Sequence, residues 1–369
     1  MNKFLIVHTT DHHHGLTTDG VEDVNSGLNT RTLDSFYAFD QVIQFCIDNN
    51  VKVLTISGDI FDNKSVPQNI INAFYERLQR LSQSNIFTYI LLGNHDISAR
   101  ESRKSSLEIA KILNMPNVYV TRGNDPVLDL GYIQIYSPSY WDNNEVLEQK
   151  ITQAASTIDW TRPALLVVHC QVETPQFKYS SFKEDLHFTP LSLLIKNPWV
   201  YVAMGHLHRY VKLNDNPPVY YGGSLVRCSF SEEYDDKGFN VIEVDGIKPV
   251  KVTRQNVDCL KMRTYKGTMA DIRAALTKTQ PEQFQNTIIR ATIDTTDEEI
   301  DDKFLKTIFA QAFKFRVTKA PKTRELKKMD AIGLNTLNKY AEKYFENEPR
   351  KIELMALLDE IKKTEESKA

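Results

Sequence analysis

The stretch Thr55-Ile56-Ser57-Gly58-Asp59-Ile60-Phe61-Asp62 constrains this chain more than any other. From Val51 to Ser57 nearly every position is apolar or β-branched, as a strand covered on both faces requires. The run stops at Gly58-Asp59 and so sets a carboxylate at the carboxyl end of a buried strand. In an open α/β sheet that edge is where ligands and metals bind. A lone Gly-Asp would read as solvated loop, but four other apolar runs end in the same way. Phe4–His8 leads to Asp11-His12-His13-His14-Gly15, and Ile86–Leu92 to Gly93-Asn94-His95-Asp96. Leu165–Val168 leads to His169, and Val200–Met204 to Gly205-His206-Leu207-His208. One strand-end histidine is most often structural. Oxygen and imidazole donors gathered at five ends of one sheet edge point to a metal site built around Asp59.

Amphipathic stretches separate these runs. Arg31–Asn49, Pro67–Ser84, Ser106–Leu113 and the region near Asn144–Ile158 carry apolar residues at helical spacing. Val127–Tyr136 reads as a hairpin turned at Gly131, and Gln171–Asp185 as a polar loop. Val219–Tyr221 and Phe239–Val244 close a first domain, residues 1–245, whose alternating pattern predicts an α/β layered sandwich of sheets and helices. A chain of 369 residues is too long for one ordinary core. Past Asp245-Gly246 the composition changes: residues 248–328 hold about eighteen Lys and Arg against ten Asp and Glu. Strands at Val250–Arg254, Thr287–Ile293 and Phe315–Thr318, with helices at Met269–Thr277 and Asp297–Ala312, make residues 246–328 a small basic α+β domain. Such an excess suits either a solvated face or contact with a polyanion. Residues 329–369 form two amphipathic helices broken at Glu348-Pro349, too small a unit to bury its apolar faces alone. It must dock on the rest of the chain or on a partner protein.

Composition narrows the class. Apolar residues at 41% and charged residues at 25% are those of a soluble globular protein, and no run of eighteen apolar residues suggests a membrane span. The start lacks the apolar core and cleavage site of a signal peptide. Four cysteines without CxxC spacing fit a reduced, cytoplasmic protein.

Mixed oxygen and imidazole donors suit intermediate divalent ions such as Mn, Fe or Zn, and the set holds no thiolate. Two ions roughly 3.5–4 Å apart need a bridging carboxylate, and a pair of this kind can clamp a phosphoester during in-line displacement. Asp-x-His, Gly-Asp, Gly-Asn-His-Asp, a strand-terminal His and Gly-His-x-His, in this order, resemble the calcineurin-like metallophosphoesterases. The opening His8-Thr9-Thr10-Asp11-His12-His13-His14-Gly15 is similar to that of the SbcD nucleases within that family. So are Tyr221–Arg227, Ser229-Phe230-Ser231-Glu232 and Lys237-Gly238-Phe239. The resemblance covers residues 3–245 and extends only by layout beyond them.

The resemblance implies that Asp11, His13, Asp59 and His208 hold one divalent ion and that Asp59, Asn94, His169 and His206 hold a second, with Asp59 bridging. It implies Mn2+ as the cofactor, with Mg2+, Fe2+ or Zn2+ as alternatives. His95 corresponds to the catalytic histidine, and Asp96 is the group expected to orient it. Asp62 is given no catalytic role. His12 and His14 compete with His13 for the metal, and the Asp-x-His spacing favours His13. The implied protein is a DNA exonuclease and endonuclease acting on duplex ends or hairpins in recombination, repair or replication. Residues 246–328 would then cap the DNA, and residues 329–369 would bind an SbcC-type coiled-coil ATPase, with a homodimer as the working unit. Two further readings use the same residues: a stand-alone phosphodiesterase or phosphatase for small phosphoesters or phosphoproteins, and a scaffold subunit without catalysis. Intact metal ligands argue against the scaffold.

Overall fold

Residues 3–97, 104–172, 188–294 and 300–319 are described in the computed structural model. In chain order the first part runs β1 (Phe4–Thr9), α1 (Thr30–Asp48), β2 (Val53–Ser57), α2 (Gln68–Gln83), β3 (Phe87–Leu91), α3 (Ile109–Ile112), β4 (Val118–Thr121), β5 (Leu128–Asp129), β6 (Gln134–Tyr136) and α4 (Asn144–Thr157). There follow β7 (Ala164–His169), β8 (Gln171–Val172), β9 (Phe188–Thr189), α5 (Leu191–Leu194), β10 (Tyr201–Gly205), β11 (Val211–Asp215), β12 (Pro218–Tyr221), β13 (Gly238–Asp245) and β14 (Lys248–Asn256). The described part ends with β15 (Lys261–Gly267), α6 (Met269–Leu276), β16 (Thr287–Ile293), α7 (Asp302–Ile308) and β17 (Lys314–Lys319).

Two six-stranded sheets face each other. The first has the order β14-β13-β1-β2-β3-β4 and the second β11-β12-β10-β7-β6-β5. In the first, β1 to β4 are parallel, with His8 opposite Thr55 and Ile56 opposite Ile90. In the second, β6, β7, β10 and β12 are parallel, with His169 opposite Gly205. Alternation along each strand divides the apolar residues between two faces. Ile6, Val53 and Leu91 of the first sheet meet Leu165, Val167 and Ala203 of the second in a shared core. Val7, Leu54, Ile56 and Ile90 point the other way, onto Phe36, Phe39, Val42, Phe74 and Leu78 of α1 and α2. On the far side Leu166, Val168, Val202 and Met204 pack on Leu147, Ile151 and Ala154 of α4. The layers are therefore helix, sheet, sheet, helix, as the alternating pattern implies. Asn29 caps α1 by accepting the Arg31 amide.

Three elements depart from the sequence reading. The strand expected at Val250–Arg254 pairs antiparallel with β13 and extends the first large sheet. The strand β15 was not legible because Lys261, Arg263 and Lys266 place charge on both of its faces; it pairs with β16 at the edge of a separate three-stranded sheet, β15-β16-β17. The second helix of that region begins only at Asp302, where the Asp301 side chain accepts the Phe304 amide and sets the start.

Residues 1–292 with 301–318 form one unit; the other, 293–300 with 319–369, falls almost entirely outside the described residues. The helices expected between Ile332 and Ile361 fall outside them as well. Among the described residues no helix is long and apolar enough to cross a membrane.

Candidate metal centre

The parallel strands β1, β2 and β3 of one sheet and β7 and β10 of the other end at a common rim, and the loops after them are laced together. The Asp11 amide donates to Gly58 O at 3.0 Å, His13 to Asp59 O at 3.1 Å and His14 to Ile60 O at 2.9 Å. This lacing holds non-glycine residues in left-handed backbone: Asp11 at φ 51°, His13 at 47°, Asp59 at 51° and His206 at 96°. Such conformations cost of order 1–3 kcal/mol each and persist where surrounding structure enforces them. Gly58 at φ 101° lies so close to the His169 ring that a Cβ there would overlap it.

Every expected ligand comes to this rim. Asp11, His13 and Asp59 bring one ligand atom each to within 4.8 Å of the others, and Asp59, His169 and His206 do the same. Asn94 Oδ1 lies 3.0 Å from His169 Nε2 and 3.3 Å from His206 Nδ1. His13 Nε2 lies 2.9 Å from His208 Nε2. The neighbouring side chains of the histidine run turn away. His12 meets Thr9 Oγ1 at 3.0 Å and the Phe39 ring, while His14 meets Ser35 Oγ at 2.9 Å and stacks on Phe36. Both are buried, and burial holds His12 down at about 3 and His14 well below its ordinary value. His13 alone of the three enters the site.

Hydrogen bonds outside the rim decide which ring nitrogens face inward. A carbonyl oxygen only accepts, so His169 Nδ1, 2.8 Å from Ser57 O, carries its proton there and presents Nε2 as a lone pair. His208 Nδ1 donates to Glu232 Oε1 at 3.0 Å and likewise turns Nε2 inward. His169 Nε2 then faces Asn94 Oδ1 and, at 3.2 Å, Asp59 Oδ2. Acceptors converge on acceptors, an arrangement that calls for a cation between them. In the protein without metal a proton must serve. Against burial, which disfavours charge, Asp59 raises His169 to about 9. His13 is raised to about 9 against the same opposition, by Cys228, Asp62 and Asp59. Asp59 itself, despite burial, is held well below the carboxylate range by His169, His13 and His95. The donor set thus fits divalent ions.

His95 stands beside this cluster. Its amide donates to Asp59 Oδ1 at 2.9 Å, and its ring lies 5.0 Å from that of His13. The group that orients it is not Asp96. His95 Nδ1 donates to the Asp62 carbonyl at 2.7 Å, which leaves Nε2 free to act. The Asp96 carboxylate accepts the amides of Gly93, Phe61 and Ile60 at 2.9, 2.9 and 3.2 Å, and so ties the two metal loops together. Burial and the Asp59 charge push Asp96 up to about 7, against those amides.

Sequence reasoning assigned no role to Glu232 and Lys237, which lie in the stretch quoted for its resemblance. Both are buried, and Lys237 Nζ lies 2.6 Å from Glu232 Oε2, 2.9 Å from Ser224 Oγ and 3.0 Å from His208 O. Burial alone would raise Glu232; His208 and Lys237 bring it down to about 2. A carboxylate behind a ligating imidazole fixes its tautomer and strengthens it as a donor. The donor set read from sequence also lacked a thiol, whereas the fold brings Cys228 to within 4.8 Å of ligand atoms of His13 and His208. A cavity of about 240 Å3 opens on His169 and His206, lined by Tyr140, Trp141, Asp142 and Gln171.

Comparison with known proteins decides the family. The calcineurin-like phosphoesterase profile matches residues 4–210, more than half of the chain. The chain belongs to the calcineurin-like phosphoesterase family. Members use divalent metals to hydrolyse phosphoesters, and the chain is a hydrolytic enzyme of that kind. Among curated proteins it is similar to the SbcD component of the nuclease SbcCD from Staphylococcus saprophyticus, 24% identical over 68% of this chain and 70% of that one. It is also similar to the DNA double-strand break repair protein Mre11 of Sulfolobus acidocaldarius, 25% identical over 60% and 57%. The Mre11 of Methanocaldococcus jannaschii is 23% identical over 66% and 63%. The chain thus spans 57 to 70% of the length of these relatives. A solved dimetal phosphatase from Danio rerio superposes with a TM-score of only 0.42 at 11% identity, over 69% of this chain and 99% of that one.

Proposed function

We propose that this calcineurin-like phosphoesterase is a DNA nuclease subunit with a two-ion centre loaded by Mn2+. It hydrolyses phosphodiester bonds at duplex ends or hairpins in partnership with an SbcC-type ATPase. The observation that carries the metal centre is the convergence of His169 Nε2, Asn94 Oδ1 and Asp59 Oδ2, with the other His169 nitrogen already committed to Ser57 O. Asp11, His13, Asp59 and His208 hold one ion, and Asp59, Asn94, His169 and His206 hold the other. When bound, the ions supply Lewis-acid polarisation of the phosphate and activation of water.

The chain's own groups do the rest. Asp59, fixed by the His95 amide and by lacing of the loops, keeps one carboxylate facing both ligand groups. His95, aimed by the Asp62 carbonyl, presents Nε2 to hold charge on the phosphate or to deliver a proton to the leaving oxygen. Glu232 and Lys237 hold the His208 ring in the ligating tautomer. The cavity walled by Tyr140 and half-exposed Trp141 gives substrate an aromatic surface beside the ligands.

Support for DNA over a small phosphoester comes from the nuclease and break-repair functions of the similar proteins and from exposed Lys261, Arg263, Lys266, Arg273 and Lys303 around the small sheet. In this reading residues 1–245 are the nuclease domain, whose first sheet β14 extends, the rest of 246–328 caps the DNA and 329–369 bind the ATPase. A second copy would meet the first through α1 and α2.

The test is cleavage of linear duplex and hairpin DNA with Mn2+ by wild type and His95→Asn. Mn-dependent cleavage that the variant loses supports the reading. Turnover of a small phosphodiester without DNA cleavage would replace it with a stand-alone phosphodiesterase.

A further inference from the structure

Cys228 sits in the loop between β12 and β13, and its placement follows from the Glu232 carboxylate. One oxygen of that carboxylate accepts from His208 Nδ1; the other accepts the Cys228 amide at 3.2 Å. A single buried anion therefore positions an imidazole and a thiol together. The Cys228 sulfur, a nitrogen of His13 and a nitrogen of His208 lie within 4.8 Å of one another. The polar contact of Sγ is a weak one, 3.9 Å to Val226 O, so the sulfur is not committed elsewhere. His13 Nε2 and His208 Nε2 already face each other at 2.9 Å.

We propose that Cys228 is a sulfur donor to the ion held by His13 and His208, so that thiophilic divalent ions, Zn2+ or Cd2+, displace the activating Mn2+ from that position. The inference rests on the metal-centre reading above. Binding forms a bond from sulfur to metal, breaks the S–H bond and releases the proton to solvent. Soft sulfur ligands favour Zn2+ and Cd2+ over hard ions, so the first position gives up Mn2+ to them more readily than the second. Zn2+ held at the first position would then compete with Mn2+ supplied for activity.

The experiment titrates the full-length, metal-free protein with Co2+, whose sulfur ligation gives strong near-ultraviolet charge-transfer absorption. Wild type is expected to show that band together with weaker visible ligand-field bands. Cys228→Ser should lose the ultraviolet band, keep the visible ones, and bind Cd2+ at least about tenfold more weakly, the loss that even outer-sphere partners cause. Visible bands in wild type without the ultraviolet band would overturn the role of Cys228 and leave the metal centre standing. No cobalt binding by wild type would overturn both. Should Cys228→Ser fail to fold, alkylation of wild type by iodoacetamide with and without Zn2+ decides. Selective protection of Cys228, with Cys170 and Cys259 unaffected, supports the proposal, and equal labelling of Cys228 in both overturns it.

Discussion

His208 Nδ1 donates to Glu232 Oε1 at 3.0 Å, and Lys237 Nζ reaches the other oxygen of the same carboxylate at 2.6 Å. The pair gives a candidate metal ligand a buried counter-charge. Glu232→Gln is expected to weaken binding at the first metal position by about 10–100-fold, measured by calorimetric titration of the metal-free protein. Lys237→Met, which strands Glu232, should lower unfolding stability by about 3–5 kcal/mol in denaturant melts. Unchanged affinity in the first variant would show the contact to be packing alone.

His95→Asn should abolish DNA cleavage, a loss of about 10²–10⁴-fold if the ring acts in proton transfer, while metal content stays intact. Metal analysis beside a cleavage assay checks this. Full cleavage by the variant would remove His95 from the chemistry.

Asp96→Ala should act on stability and on the metal loops together, because the three amides of Gly93, Phe61 and Ile60 lose their acceptor. An unsatisfied buried group costs about 1–3 kcal/mol, so a loss of at least that size is expected in thermal or chemical unfolding. A variant as stable as wild type would mean that water replaces the carboxylate.

The metal-free protein should lose stability as pH rises from about 6.5 to about 9. His13 and His169 have folded values near 9, above the ordinary 6.5, so the folded state binds more protons across that window. Their contribution is full below the lower value and gone above the upper one. Melting temperatures of chelator-treated protein should fall across this range. Saturating Mn2+, which takes the place of the protons, should flatten the profile. An equal slope with and without metal would contradict this.

Truncation after Met329 should leave the metal centre folded and cost binding of the ATPase partner. Co-purification of a truncated chain with that partner would instead assign residues 329–369 to packing within the chain.

Strand ends and ligand types were legible from local sequence. A strand covered on both faces needs continuous apolar residues, and Val51–Ser57, Leu165–Val168 and Val200–Met204 announce themselves, each stopping at Asp or His. The Asp-x-His spacing also pointed to His13, but left-handed backbone at Asp11 and His13, held by the lacing to Gly58 and Asp59, turns the ring inward, not strand alternation. Tertiary structure decided what lies behind and between those ends. Asp62 rather than Asp96 orients His95 because the loop after β2 brings the Asp62 carbonyl to the ring while the amides of Gly93, Phe61 and Ile60 take the Asp96 carboxylate, pairings no spacing encodes. Glu232, Lys237 and Cys228 reach His208 across about twenty residues or more of chain because β12 and β10 are parallel neighbours, so the loop after one passes over the loop after the other. Charge on both faces hid β15, whose pairing with β16 comes from a partner distant in sequence. Local sequence determines which residues are at the edge; long-range strand pairing determines which of them meet.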